Sequence, residues 1–197
     1  MEEQEREERQ LPPEAAPGPG DDQRAAVDEL LRRLKEDRPA HWEEFPDLAL
    51  YMDQVISYMP RQLIRFQEGE GLTSAMVNNY IKDGLLPRAE GKRYRAVHLA
   101  YLTAICAMKR VLSVREVKTL LAACAPEGEP DVFYARFCRA LDEALDNTAR
   151  TVERPPAGEE DLAGLALTLA LRSYADQLAC TRLLELLEPP GNEKGKK

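Results

Sequence analysis

Between Thr73 and Leu121 the signals that start and stop helices follow one another so closely that this stretch can only fold as short helices joined by tight turns. Thr73 is an N-cap residue for TSAMVNNYIKD, and Gly84 stands just past the end of that run, where a left-handed residue closes a helix. LLPRAEGKRYRAVHL follows, with Pro87 and Gly91 flanking a short turn and alternating residues after it, which predicts a two-stranded β wing. From His98 to Leu112, Leu99, Leu102, Ile105 and Cys106 fall on one helical stripe, with His98 capping or packing the start. Ser113 and Glu116 make a capping box that opens SVREVKTLLAAC. Strands are expected only in the wing, because Leu and Ala dominate the apolar residues and aromatics make up 6% of the chain. The fold class is mainly α, a winged helix-turn-helix with further helices on both sides.

The flanks extend this plan. Residues 1–21 combine an acidic run with LPPEAAPGPG, a composition that buries too little apolar surface to offset ordering, and they read as a disordered arm. From Asp22 as N-cap, Val27, Leu30, Leu31 and Leu34 mark an amphipathic helix running to Arg38, where Pro39 ends it. Trp42 and Phe45 lie in a linker that pins this helix to the body. Asp47 can cap a helix presenting Leu48, Tyr51, Met52, Val55 and Met59 on one side, while Pro60 suits the first turn of a second short helix in PRQLIRFQ. Either YMDQVISYM or PRQLIRFQ supplies the first helix of the helix-turn-helix. APEGEP marks a boundary before Val132–Val152, where Phe133, Phe137, Leu141, Leu145 and Thr148 recur. After PPAG, the run DLAGLALTLALRSYADQLACTRLLELL is apolar nearly all round in its first half. Such a helix must be covered, inside a bundle, against a second copy, or by folding back onto the winged domain. The expected organisation is an arm (1–21), a helix and linker (22–46), a winged domain (47–125), a helical region for dimerisation or effector binding (126–190) and a disordered tail (191–197).

Charge decides among function classes. The chain carries a net charge of −8, which by itself disfavours a nucleic-acid partner. The distribution reverses that: residues 1–60, 61–118 and 119–197 carry −9, +6 and −5. A basic centre between acidic flanks is what a DNA-reading module inside a larger regulator shows. No stretch approaches the length of a membrane span and the amino terminus is acidic, so a cytoplasmic protein is expected. Cys106, Cys124, Cys138 and Cys180 have no CxxC spacing and lie among apolar residues, and His41 and His98 have no partner in sequence. The cysteines read as buried thiols and the histidines as unpaired, with no metal and no cofactor. No P-loop, Rossmann, GxSxG or HExxH pattern is present, so an enzyme is not expected.

The candidate DNA-binding residues follow from helical spacing. Val77, Tyr80 and Ile81 share one face of TSAMVNNYIKD, and Ser74, Ala75, Asn78, Asn79 and Lys82 lie largely on the other. Asn can bond adenine through both ends of its amide, and Lys reaches phosphate or guanine. The wing adds Arg88, Lys92, Arg93 and Arg95, interleaved with Tyr94, for phosphate contacts. The competing reading is a solvated helix face and charged turn on a protein-interaction module that lacks DNA binding.

The run MVNNYIKDGLLPRAEGKRYRAVHLAYLTAICAMKRVLSVREVKTLL resembles the DNA-binding domain of MerR-like regulators, whose hallmarks are a Tyr-rich recognition helix, a Gly-Leu-Leu-Pro turn, a Tyr-Arg wing, and a Leu-rich helix followed by Ser-x-x-Glu-Ile-Lys. YMDQVISYM, LTSAMVNNYIKDGLLP and EGKRYRAVHLAYL are similar to the bacterial domain-of-unknown-function family 1836, generally regarded as MerR-like. The resemblance covers roughly residues 48–121. It implies a homodimer on a two-fold site in double-stranded DNA, joined through the C-terminal helices and open to a small-molecule effector. It also implies that Thr73 and Tyr80 belong to the recognition element and that Tyr94 and Arg95 form the wing pair, with Arg95 on phosphate. Asn78 stands where such proteins carry Arg, and Asn79 where they carry the first aromatic.

Overall fold

The computed structural model of the 197-residue chain describes residues 19–64, 71–125, 128–154 and 162–187. Seven α-helices run through these residues: α1 (Pro19–Glu36), α2 (Met52–Tyr58), α3 (Ser74–Lys82), α4 (Ala96–Met108), α5 (Val114–Cys124), α6 (Pro130–Glu153) and α7 (Leu162–Leu187). The architecture is mainly α. Most of the expected arm and all of the expected tail lie outside the described residues, and α1 begins three residues ahead of the Asp22 cap.

Local chemistry explains the short helices. The Thr73 hydroxyl accepts from the Met76 N–H at 3.2 Å, capping α3. At the other end Gly84 adopts φ +74°, its N–H bonds the Ile81 carbonyl at 3.2 Å, and the Leu85 N–H bonds the Tyr80 carbonyl at 2.9 Å. This paired closure is a Schellman motif, and the αL residue it needs is available to glycine without a Cβ penalty. The Ser113 hydroxyl accepts from the Glu116 N–H at 3.3 Å, and the Glu116 carboxylate accepts from the Ser113 N–H at 2.8 Å, so the expected capping box opens α5.

Two expectations around α2 are corrected. Asp47 does not cap it: the Gln54 side-chain oxygen Oε1 accepts from the Tyr51 N–H at 2.8 Å, and the helix starts five residues later. Leu50 is held instead by exchanging both backbone hydrogen bonds with Tyr94, at 2.7 and 2.8 Å, which leaves Leu48 79% exposed. Of the two candidate segments, YMDQVISYM carries α2, whereas Met59–Arg61 forms a 3₁₀ turn and residues 65–67 of PRQLIRFQ lie outside the described residues.

The β wing is also corrected. Among the described residues there is no strand, only two isolated antiparallel bridges, Leu50 with Tyr94 and Glu90 with Arg93. Gly91 and Lys92 have φ of +57° and +63°, so the chain reverses in a two-residue turn of the kind that joins hairpin strands. The ladder stops there because the next residue, Tyr94, gives its N–H and carbonyl to Leu50, and α4 begins two residues later.

α4 lies at the centre, with Leu99, Ala100, Leu102, Ala104 and Ile105 all 1% exposed or less. Its one buried hydroxyl, on Thr103, donates to the Leu99 carbonyl at 2.9 Å, as burial of a polar group demands. Val55, Val77 and Val117 reach the same core from α2, α3 and α5. α6 joins it through Phe133, Tyr134 and Cys138, so its covered stripe is offset from the expected one, leaving Phe137, Leu141 and Leu145 half-buried. The Tyr134 hydroxyl donates to the Ala40 carbonyl at 2.8 Å and its ring lies 5.1 Å from Phe45, which in turn meets Trp42 edge-on. The linker is therefore pinned to the body as expected.

A second cluster joins α1 to the far half of α6, where Leu34 packs with Ala149 and Val152. Arg38 sits between Asp142 at 2.7 Å and Asp146 at 2.8 Å, one helical turn apart on α6, and Lys35 pairs with Glu153. α7 touches this cluster through Leu165 and Leu169 and the main core through Leu184, while Gln177 donates to the Val111 carbonyl at 3.1 Å. Its other face is bare: Leu167, Leu171, Tyr174 and Leu178 are each more than half exposed. None of the described helices is long and apolar enough to cross a membrane.

Candidate nucleic-acid interface

The sequence places Ser74, Ala75, Asn78, Asn79 and Lys82 on the outer face of α3, and all five are exposed. The opposite face is fixed by Val77 and Tyr80, 0% and 6% exposed, so the polar face is held outward by burial of its reverse. Thr73 is exposed, but its hydroxyl is engaged in the cap. Tyr80 and Tyr94 are placed in the core and hold the site from beneath, since Tyr94 is only 4% exposed. Burial raises the pKa of both phenols above the ordinary range.

All four wing cations are exposed. Arg93 lies over the Tyr51 ring, 5.0 Å from its centroid, and donates to the Tyr51 hydroxyl at 3.0 Å. Arg95 pairs with Glu90 at 3.2 Å with both side chains about three-quarters exposed, an ion pair of little strength in water. Lys82, Arg88 and Lys92 make no ion pair among the described residues. The turn thus presents two committed and two uncommitted cations, beside a helix whose outward groups are amides, a hydroxyl and an ammonium.

Two residues outside the predicted set position this surface. His98 is 4% exposed; its Nδ1 accepts from the Arg95 N–H at 2.9 Å and its Nε2 faces the Arg88 carbonyl at 3.4 Å. The proton therefore belongs on Nε2, and the imidazole ties together the two ends of the turn, with Tyr94 edge-on to it at 5.3 Å. Burial lowers the His98 pKa, against the opposing pull of the Arg88 carbonyl. Lys118 on α5 donates to the Asp83 carbonyl at 2.9 Å, bracing the turn that leaves α3. His98 was legible as a packed residue at a helix start, because a side chain at the third helical position reaches back to the preceding N–H; Lys118 lies 35 positions from its partner and no local signal announces it.

Residues 40–137, just under half of the chain, match the model of the family described as Domain of unknown function (DUF1836). This stretch is similar to that family. No curated protein and no solved structure matches the chain. The matched stretch reaches beyond the expected 47–125 unit at both ends, taking in Trp42, Phe45, Phe133 and Tyr134. Those are the side chains that close the main core, so the match follows the packing. None of the four cysteines forms a disulfide; Cys138 is buried and the others are half-buried. No group of three or more potential metal ligands occurs among the described residues.

Proposed function

We propose that this protein is a sequence-specific, MerR-like DNA-binding regulator of the cytoplasm that acts as a homodimer, without catalysis of its own. The observation that carries the reading is the outward face of α3, with Ser74, Asn78, Asn79 and Lys82 exposed next to a turn bearing Arg88, Lys92, Arg93 and Arg95, in the basic third of an acidic chain. α3 enters the major groove, where Asn78 and Asn79 bond base edges and Ser74 assists. Lys82 and the wing cations contact phosphate, which gives affinity that falls steeply with salt. Arg95 exchanges its solvent-screened pair with Glu90 for a phosphate oxygen.

Two copies join through α7. Leu167, Leu171, Tyr174 and Leu178 are spaced four, three and four apart, the repeat of a helix–helix seam, and all are exposed. A two-fold joint presents two α3 helices to a two-fold DNA site, and a small effector acts by changing the angle between them.

Selection of bound sequences from a randomised DNA pool at two salt concentrations tests this reading. A two-fold-symmetric site is expected. Asn78→Ala and Asn79→Ala each relax the preference at one position by about 1–3 kcal/mol, whereas Arg95→Ala weakens all sequences alike. A pool with no enrichment overturns the reading and favours a protein-interaction module. That second reading has one observation on its side, since Arg93 and Arg95 already have partners within the chain.

A further inference from the structure

A cavity of about 550 Å³ opens between the end of α1, the 3₁₀ turn after α2, the end of α4 and the middle of α6. Its size falls in the range of small-molecule sites, roughly 300–1,000 Å³. Leu141 and Leu145 of α6, Ala107 of α4 and Ile64 supply an apolar wall.

The charges on its rim do not cancel. Of the lining cations, Arg33 is paired with Asp37 at 2.7 Å and Arg38 is held between Asp142 and Asp146. Of the lining carboxylates, Asp37 is thereby occupied and Glu36 is engaged by Arg32 at 3.2 Å. Arg61 and Arg110 line the same cavity and make no ion pair among the described residues. They approach it from separate elements, the turn after α2 and the turn after α4.

We infer that this cavity binds a small amphipathic monocarboxylate, its carboxylate taken by Arg61 and Arg110 and its apolar body laid against Leu141, Leu145 and Ala107. Guanidinium groups match the planar geometry of a carboxylate, and the apolar wall favours a ligand with a hydrocarbon or aryl body. The carboxylates of Glu36 and Asp37 on the same rim disfavour a multiply charged anion. The inference stands apart from the DNA reading, because the cavity is built from residues outside the α3 face and the wing.

Calorimetric titration of the full chain with octanoate tests it, with 1-octanol and acetate as comparators. Saturable binding at one site per chain is expected for octanoate, with 1-octanol and acetate each weaker by roughly tenfold or more. The double variant Arg61→Gln/Arg110→Gln changes two exposed side chains and keeps the helical circular dichroism of the parent while losing octanoate affinity by roughly tenfold or more. Ala107→Trp fills the cavity and abolishes binding with both arginines intact. Absence of saturable octanoate binding, equal binding of 1-octanol, or undiminished binding by the double variant each overturns the proposal.

Discussion

α4 and α7 are written in nearly the same alphabet, leucine and alanine with a few polar residues, yet among the described helices one has the most buried residues and the other is largely exposed. α4 keeps Leu99, Leu102 and Ile105 at 1% exposure or less, while α7 buries only Leu184 and leaves Leu167, Leu171 and Leu178 in solvent. Composition therefore says that a helix has an apolar face to cover, but the neighbours decide whether the chain covers it. α4 is enclosed by α2, α3, α5 and α6, all of which send side chains into its core. No described helix packs over the outer side of α7.

The largest expected effect breaks the comparison if it fails. Leu102→Ala opens a cavity in a wholly buried position and should lower stability by about 2–5 kcal/mol in urea unfolding. Leu171→Ala/Leu178→Ala, measured at high dilution, should change stability by no more than about 0.5 kcal/mol, because neither side chain is in the core. The proposed joint through α7 predicts that wild type self-associates in sedimentation equilibrium and that the same double variant does so more weakly. If it destabilises the dilute chain as much as Leu102→Ala does, α7 is part of the core and the contrast is wrong.

Smaller effects sharpen where the buried region ends. Tyr134→Phe removes the hydroxyl bonded to the Ala40 carbonyl and should cost about 1–2 kcal/mol, with the linker carrying Trp42 losing protection in hydrogen exchange. Ser113→Ala removes the cap of α5 and should cost about 1 kcal/mol, read from the same urea midpoint. An unchanged midpoint in either variant would move that contact out of the stabilising set.

How much of this was legible in the sequence depended on the range of the interaction. The Thr73 cap, the Gly84 closure and the Ser113–Glu116 box are local, and each is found where its residues predict it. The outward face of α3 was legible for a similar reason, since helical spacing alone separates Asn78 and Asn79 from Val77 and Tyr80. The wing was misread because alternation after Gly91 resembles a strand, whereas Tyr94 is claimed by Leu50, 44 positions upstream. The buried stripe of α6 was offset for a like cause. Tyr134 is drawn inward by Ala40 and Phe45 rather than by anything in its own helix. The bare face of α7 followed from the pattern as a need for cover, but not from any residue that names the cover.

The smallest effect concerns His98, and its sign follows from which form the fold accepts. Burial disfavours the imidazolium and lowers the pKa from its ordinary value, while the Arg88 carbonyl facing Nε2 and the charge of Glu90 pull it back up, so the opposing contributions partly cancel. The unfolded chain then binds the proton more readily than the folded one. Stability from the neutral ring is fully present above the ordinary histidine pKa, near 6.5, and is lost as pH falls from there through the lowered value. Protonation also removes the acceptor for the Arg95 N–H, so the loss should appear first in the wing, as faster amide exchange at Arg95. His98→Gln keeps an acceptor three residues into the helix and does not titrate, so the stability of wild type minus that of the variant should fall between pH 7 and pH 5. Subtracting the variant removes the carboxylates, Glu116 among them, whose pKa values the fold lowers. A flat difference across that range would mean that the ring is held by packing against Tyr94 alone, and that the wing is tied down by Leu50 rather than by His98.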